Sequence, residues 1–272
     1  MTIDPRLKDI LYFKSIGQSK EFVYTHLEYR PTLIERLRFW YYLNQAKRGT
    51  PLAYITHEQE FCSLLFKVNR HTLIPRPDTE LMVEEVVKIL NKEKNTLFID
   101  VGTGSGCIAI SALNKLKLTG HELPETIAID LSKKTLKVAK ENATTHRVNI
   151  KFVHGDLLTP LVNTNLNNFS ILVITANLPY LTNQQFLEEP TIQKEPRLAL
   201  VADATDGLSL YEKLLKQTSA LPCPSVLLLE IDPRQSTNIK KLISNILPAG
   251  IVEIKTDLAG RDRLVIITNS IH

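Results

Sequence analysis

The chain has 272 residues, 43% of them apolar and 23% charged, and a formal net charge of +4, which is typical of a globular protein with one or two domains. No apolar run reaches the roughly 18 residues of a membrane-spanning helix, and the first ten residues contain two acids, so neither a membrane anchor nor a signal peptide is predicted. Three distant cysteines outside any C-x-x-C pair and seven scattered histidines predict a cytoplasmic protein without a structural metal.

The excess positive charge lies in residues 1–50. This segment holds nine Lys or Arg residues and five Asp or Glu residues, whereas residues 51–272 hold 24 of each sign. A solvated helical surface would account for the excess, and so would a docking surface for an acidic partner. The sequence leaves both interpretations open.

Two helices are predicted in this small N-terminal domain. Apolar residues at helical spacing form one face of each helix, namely Ile3, Leu7, Ile10 and Leu11 in the first and Leu33, Leu37, Trp40 and Tyr41 in the second. Thr32, followed three residues later by Glu35, is typical of the capping box that begins a helix. We expect Trp40 and Tyr41 to belong to the core of this domain.

Residues 51–75 differ in character from the helical segment. They are rich in aromatic and β-branched residues broken by polar pairs, which predicts a β-hairpin or irregular strands that link two domains. Two prolines follow, and then a helix, capped by Asp78 or Thr79, that runs to about Asn91. The second domain accordingly covers residues 76–272.

Strands and helices alternate over the second domain. Strands are predicted at 96–101, 126–130, 150–153, 170–176 and 225–231, and helices at 106–116, 132–143, 207–219 and 234–246. This alternation indicates a parallel sheet with helices on both faces. The last two β runs, 250–257 and 263–270, are too close for a parallel crossover, so they form an antiparallel hairpin. A doubly wound, Rossmann-like α/β sheet that ends in such a hairpin resembles the class I methyltransferases more than the dehydrogenases.

Three glycines at alternate positions follow the first strand of this sheet. Residues 100–106 read D-x-G-x-G-x-G, and Cys107 stands where the dinucleotide fingerprint has its third glycine. The glycines allow the backbone to approach a ligand closely and to adopt positive φ. Asp100 would repel a pyrophosphate but attract a cation. The turn therefore favours S-adenosylmethionine, which carries a sulfonium and an ammonium group, over NAD.

Two later acids complete the predicted cofactor site. Asp130 ends the second strand, 24 residues after Gly106, where a carboxylate can accept both ribose hydroxyls. NAD enzymes use the same arrangement, so Asp130 indicates a ribose without choosing between the two cofactors. Asp156 follows the third strand, and its carboxylate either accepts from an adenine amino group or belongs to the turn after Gly155.

The fourth strand runs into the tetrapeptide Asn-Leu-Pro-Tyr at 177–180, beside the glycine turn at the carboxyl edge of the sheet. It suits methyl transfer to a planar nitrogen whose lone pair is delocalised. Asn177 Oδ1 and the Leu178 carbonyl can accept the two N–H bonds of such a nitrogen, and Tyr180 offers a flat face. No strong base is required, because the proton can leave after transfer, and the rest of the catalysis is positioning.

The segments around these motifs resemble a known family. N-x-P-Y itself is shared by methyltransferases that act on glutamine, adenine or cytosine. The flanking segments are more specific, and they are similar to those of release factor glutamine N5-methyltransferases: PLAYI at 51–55, LIPRPDTELMVE at 73–84, EPRLAL at 195–200, DGLSLYEKLL at 206–215 and GRDRLVI at 260–266. The resemblance covers residues 48–268 in order, with LIPRPDTE as its most specific part.

The resemblance implies an activity and a set of site residues. Family members use S-adenosylmethionine to methylate the side-chain amide of the glutamine in the Gly-Gly-Gln motif of peptide release factors. The implied cofactor residues are Asp100, Gly102, Thr103, Gly104, Ser105 and Gly106 at the turn, Asp130 at the ribose, Asp156 and Leu157 at the adenine, and Arg76, Asp78 and Thr79 at the methionine end. The implied substrate residues are Asn177, Leu178, Pro179 and Tyr180, with Asn177 also bordering the cofactor.

One departure from the family pattern lies in the site itself. Leu178 stands where the family usually has a proline, so Asn177 is no longer restrained by a following proline. The backbone carbonyl of Leu178 is kept, and we expect activity to survive.

Three functions are weighed. The first is a monomeric, cytoplasmic protein glutamine methyltransferase whose partner is a release factor and which makes no direct nucleic-acid contact. The second is an N6-adenine methyltransferase acting on rRNA or DNA, which would favour a stronger basic field than residues 51–272 provide. The third is a regulator that binds S-adenosylmethionine but has lost catalysis through Leu178. We favour the first.

Overall fold

A computed structural model describes residues 3–202 and 206–270 of the chain. The helices are α1 Pro5–Ile16, α2 Lys20–Thr25, α3 Leu33–Lys47, α4 Leu52–Thr56, α5 Glu80–Leu90, α6 Cys107–Leu118, α7 Lys133–Thr145, α8 Asn183–Glu188, α9 Ser209–Ser219 and α10 Ser236–Ile246. The strands are β1 Glu58–Phe61, β2 Leu64–Lys67, β3 Thr96–Val101, β4 Glu125–Asp130, β5 Lys151–His154, β6 Ile171–Ala176, β7 Ser225–Glu230, β8 Ile251–Thr256 and β9 Asp262–Asn269.

Seven strands form one sheet in the order β5-β4-β3-β6-β7-β9-β8. The first five run parallel, whereas β9 lies antiparallel to both β7 and β8. The predicted doubly wound sheet with a terminal hairpin is therefore confirmed. Because β3 has β4 on one side and β6 on the other, the winding reverses between β3 and β6, and their carboxyl ends open a crevice there.

The central strands are buried on both faces. All six residues of β3 and all six of β7 are buried, as expected for parallel strands covered by helices on both sides. Phe98 and Val173 pack beneath α5 and α6, whereas Ile99 and Leu227 pack on the opposite face, beneath α9 and α10. The two cores make the sheet a rigid base for the loops at its carboxyl edge.

The N-terminal helices pack together, but not through the predicted face of α3. The apolar side chains of that face are exposed: Leu33, Leu37, Trp40 and Tyr41. Phe39 contacts α1 instead, edge-on to Tyr12 at 5.6 Å between ring centroids. The prediction that Trp40 and Tyr41 belong to the core is wrong, because α3 carries apolar residues on two faces and periodicity does not say which face α1 covers.

The caps predicted for α3 and α5 differ in how they are formed. Thr32 and Glu35 form the capping box of α3, each side chain accepting from the backbone N–H of the other. At α5, Thr79 occupies the N-cap position as predicted, but the 3₁₀ turn Pro77–Thr79 leads directly into the helix and Thr79 makes no side-chain capping bond there within the described part of the chain.

The linker contains a helix as well as a hairpin. β1 and β2 pair antiparallel as a two-stranded hairpin. The residues before it were predicted to be extended, but Leu52–Thr56 is helical: Pro51 precedes the first turn and the Thr56 hydroxyl donates to the Leu52 carbonyl (3.1 Å). The helix ends at His57, which has a φ of 60°. Over the described residues, no helix has the length and apolar character to cross a bilayer.

Candidate active site

A cavity of about 730 Å³ opens at the carboxyl ends of β3, β4 and β6, where the winding of the sheet reverses. Most of the predicted site residues line it: Arg76, Thr79, Gly102, Thr103, Gly104, Ser105, Asp130, Asp156, Leu157, Asn177, Leu178 and Pro179. Four predicted residues are not among its described lining: Asp78, Asp100, Gly106 and Tyr180. The cavity therefore brings the glycine turn, both later acids and the Asn-Leu-Pro-Tyr loop to one place.

The glycine turn depends on the conformational freedom of its glycines. Gly102, Gly104 and Gly106 all have positive φ, as expected, with values of 70°, 59° and 82°. A Cβ built on Gly102 would also lie 3.0 Å from Leu178 Cδ2. Gly102 is thus needed both for its backbone conformation and for the close approach of the substrate loop.

Asp100 lies beneath the turn and does not reach the cavity. Its carboxylate is fully buried and accepts hydrogen bonds from the hydroxyls of Thr103 (2.7 Å) and Thr175 (2.8 Å). Burial raises the pKa of Asp100 to about 6, although the two hydroxyls act in the opposite direction. Direct contact between Asp100 and a cationic ligand is therefore excluded in this geometry, and the carboxylate instead ties the turn to β6.

Asp130 faces the cavity from the end of β4. Its two carboxylate oxygens accept from the backbone N–H groups of Gly104 (3.0 Å) and Ser132 (2.8 Å). Burial raises its pKa, and these two hydrogen bonds lower it. Each oxygen keeps a free lone pair, so the carboxylate is able to accept from two neighbouring hydroxyls of a ligand.

Asp156 and Leu157 border the next part of the cavity. Asp156 forms an ion pair with Lys213 of α9, which also lines the cavity. Leu157 has a φ of 50°, which turns the chain sharply after β5. Lys213 was not predicted, because a lysine on the polar face of a helix carries no signal of its own in the sequence.

Two residues just before α5, Arg76 and Asp78, have partners other than those expected from the sequence. Arg76 lines the cavity and pairs with buried Glu195, which also accepts from the Ile74 N–H (3.1 Å). Asp78 points away towards Arg263, with 3.1 Å between Oδ2 and Nη2. Asp78 therefore connects the turn before α5 to β9.

The Asn-Leu-Pro-Tyr loop is held in place by hydrogen bonds from the side chain of Asn177 and the backbone of Leu178. Asn177 Nδ2 donates to the Thr79 hydroxyl (3.3 Å), and the Leu178 N–H donates to the Tyr211 hydroxyl (3.3 Å). Tyr211 in turn donates to the backbone carbonyl of Glu230. The carboxyl end of β7 thus positions the end of β6.

Tyr180 closes this loop and is also anchored from behind. Its carbonyl accepts from Gln235 Nε2 (3.2 Å), and a Cβ on Gly207 would lie 2.0 Å from the same oxygen. Burial raises the pKa of its phenol. Gly207 and Gln235 were not singled out in the sequence; Gly207 lies in a segment shared with the resembled family, DGLSLYEKLL, whereas Gln235 lies in none of those segments.

The cavity fits S-adenosylmethionine in its chemistry. Asp130 offers acceptors for ribose hydroxyls, and Asp156 offers one for an amino group. Asp100 lies beneath the turn and Asp130 contacts it from the cavity, which suits a cationic ligand better than a pyrophosphate. Across the described residues, no three His, Cys, Asp or Glu side chains are grouped as metal ligands would be.

Comparison with known proteins agrees with this chemistry. A methyltransferase domain model matches residues 92–227. The chain is 36% identical over 227 residues to a release factor glutamine methyltransferase of Enterococcus faecalis, covering 82% of this chain and 78% of the relative. It is 37% identical over 250 residues to a release factor glutamine methyltransferase of Moorella thermoacetica, covering 86% of this chain and 84% of the relative.

The fold is also found in solved structures. A methyltransferase from Pyrococcus furiosus superposes with a TM-score of 0.51 at 15% identity, covering 87% of this chain and 98% of that one. At that identity the likeness concerns the fold alone, whereas the two relatives match in sequence over most of their length. The chain belongs to the release factor glutamine methyltransferase family and is a class I methyltransferase that uses S-adenosylmethionine.

Proposed function

We propose that this protein transfers a methyl group from S-adenosylmethionine to the side-chain amide nitrogen, N5, of the glutamine in the Gly-Gly-Gln motif of peptide release factors. One observation carries the proposal. β3 and β6 pair with Val101 opposite Ala176, so the glycine turn and Asn177 begin side by side at the cavity. A methyl donor on the turn and an amide held by Asn177 would therefore be adjacent.

The residues at the cavity suit an amide acceptor. Asn177 Oδ1 and the Leu178 carbonyl accept its two N–H bonds, which orients the nitrogen and stabilises the positive charge that develops on it. When bound, S-adenosylmethionine supplies an electrophilic methyl group, and its sulfur takes the electron pair of the broken bond. The chain contributes alignment of nitrogen, carbon and sulfur, and the nitrogen loses its proton after transfer.

The cofactor is held by three segments, namely the end of β4, the turn after β5 and the residues just before α5. Asp130 accepts from the ribose hydroxyls, and Asp156, together with Leu157, borders the adenine. Arg76 and Thr79 lie at the methionine end. Asp100 acts on the cofactor only through the turn and through its charge. Asp78 acts on it only through the position of the turn before α5.

Residues 1–50 are proposed to dock the body of the release factor. The exposed apolar face of α3, formed by Leu33, Leu37, Trp40 and Tyr41, lies in the segment that carries the surplus of positive charge. Exposed aromatic residues beside basic ones are typical of the energetically dominant part of a protein interface. The partner surface would be apolar and acidic. We further propose that the protein acts as a monomer in the cytoplasm.

The experiment separates the two acceptor classes. The protein is incubated with labelled S-adenosylmethionine and either a purified release factor or ribosomal RNA, and peptide mass spectrometry locates the methyl group. We expect label on the glutamine of the Gly-Gly-Gln motif and none on RNA. Label on adenine, or none on that glutamine, would contradict the proposal.

A further inference from the structure

Next to Asn177 lies a buried carboxyl group, that of Glu230, to which the proposed function assigns no role. β6 and β7 pair in parallel with Ala176 opposite Leu229, so the next residues along the two strands, Asn177 and Glu230, are neighbours at the carboxyl edge. Residues in register on parallel strands project to the same face of the sheet. Gly102, Asn177 and Glu230 therefore form one row across three adjacent strands.

Glu230 is isolated from water. The residue is only 3% exposed, and its Oε2 has no hydrogen-bond partner among the residues that the structure describes. An unpaired buried polar atom costs free energy, and apolar replacements of buried charged groups are often neutral or stabilising. Packing alone therefore does not account for a glutamate at this position.

The neighbours of Glu230 belong to the candidate active site. Thr79 and Asn177, which both line the cavity, are polar neighbours of its carboxyl and lower its pKa. Asn177 Nδ2 donates to the Thr79 hydroxyl. The amino end of the Asn177 amide is thus turned towards Thr79, on the side of the loop where Glu230 lies.

We propose that Glu230 is a positioning residue of the methyl transfer, whose carboxylate fixes the orientation of the Asn177 side-chain amide. An ionised carboxylate can only accept hydrogen bonds, so it selects the NH₂ end of the amide. The opposite end, Oδ1, is then directed to the amide nitrogen that receives the methyl group. This inference rests on the proposed function, because it assigns Oδ1 the role of acceptor for the substrate N–H.

The carboxyl must be ionised to act in this way. Burial is the main cause that raises the pKa of Glu230 to about 7; Asp78 acts in the same direction, whereas Thr79, Arg263 and Asn177 lower it. The carboxylate in turn raises the pKa of the Tyr180 and Tyr211 phenols. Since the ionised fraction of an acid grows with pH, the kcat of the wild-type enzyme should rise as pH passes through about 7.

The test uses the full chain and intact release factor. Glu230→Gln presents either an oxygen or an NH₂ group to Asn177, so it no longer selects one orientation. We expect kcat to fall by about ten- to a hundredfold with little change in KM for S-adenosylmethionine, and the rise of kcat near pH 7 to disappear. The melting temperature should be unchanged or higher, because a buried charge is removed.

A control variant, and outcomes that differ for the two proposals, distinguish the positioning role of Glu230 from the proposed function. Glu253→Gln, on the exposed face of β8, should behave as wild type in every measurement. A Glu230→Gln enzyme with a wild-type kcat and pH profile would overturn the positioning role, as would a fall in kcat accompanied by a lower melting temperature and weaker cofactor binding. Failure of the wild-type enzyme to methylate the glutamine would instead overturn the proposed function.

Discussion

Asp100, the last but one residue of β3, has a carboxylate without contact with water. It connects the glycine turn, through Thr103, with β6, through Thr175. The acid is therefore a support for the loop that would hold the cofactor, and its negative charge lies beneath that loop. Burial makes this support sensitive to pH, because the charged form is the one that is disfavoured.

The pH dependence of stability is predicted to differ between wild type and Asp100→Asn. The pKa of Asp100 is raised to about 6 in the folded protein, so the native state holds more protons than the unfolded chain above the unfolded pKa. Its contribution therefore lowers the free energy of unfolding as pH rises to about 6 and is constant above that. The asparagine lacks this contribution. Relative to wild type, the variant should gain about 2 kcal/mol between pH 4.5 and 7.5.

Urea unfolding at a series of pH values checks this prediction. Plots of the free energy of unfolding against pH for wild type and Asp100→Asn should diverge from pH 4.5 and run parallel above about 6.5. Asp9→Asn, at an exposed position on α1, serves as the control and should follow wild type. Curves for Asp100→Asn that stay parallel to wild type throughout would show that the acid is not perturbed by burial.

At the scale of single elements, the parts that the sequence predicted well are those with a strong local signal. β3, the glycine turn and α6 follow each other with an apolar strand, three glycines and an apolar helix, so little depends on distant residues. α3 is different. It does have apolar residues at helical spacing, but the position of α1 decides which face of α3 is buried. Phe39, and not Trp40, makes the contact with α1.

The supports behind the substrate loop were missed for a related reason. Tyr211 and Glu230 appear in the sequence as polar members of an amphipathic helix and of an apolar strand. Only the order of the strands shows that both lie behind residues 177–180. The one available signal was an acid at the end of the apolar run LLLE, and local pattern does not distinguish such an acid from an exposed strand end.

The link between Leu178 and Tyr211 leads to a prediction about this loop. Leucine has a backbone N–H, which proline lacks, and this N–H donates to the Tyr211 hydroxyl. We infer that the hydrogen bond takes over the restraint that a proline at position 178 would supply. Tyr211→Phe should therefore lower kcat by about tenfold and the free energy of unfolding by about 1–3 kcal/mol.

A double-mutant cycle isolates this hydrogen bond. In a Leu178→Pro background the N–H is absent, so Tyr211→Phe should cost clearly less in kcat than it does in wild type. The bond from Tyr211 to the Glu230 carbonyl is lost in both backgrounds and cancels in the comparison. Equal effects in the two backgrounds would show that the Leu178 N–H contributes nothing to the position of the loop.

Across the whole molecule, charge and exposed apolar surface are distributed unevenly. Residues 51–272 carry 24 charges of each sign, whereas residues 1–50 carry a surplus of four positive charges. The N-terminal helices are joined to the linker by an ion pair between Lys14 and Glu58. The catalytic cavity lies at the carboxyl edge of the sheet, whereas the exposed face of α3 belongs to the N-terminal helices, an arrangement that suits a large substrate bound at two places.

Trp40→Ala tests whether α3 binds the body of the release factor while the cavity binds the glutamine. The exposed indole should contribute to binding the body of the release factor, so we expect KM for intact release factor to rise about tenfold with kcat unchanged. A short peptide containing the Gly-Gly-Gln motif reaches only the cavity, and its kcat/KM should not change. Leu258→Ala, an exposed apolar residue on the β8–β9 turn, should affect neither substrate. A Trp40→Ala enzyme that loses activity equally on peptide and intact protein would place the effect of Trp40 on the catalytic domain and remove the argument for a docking surface on α3.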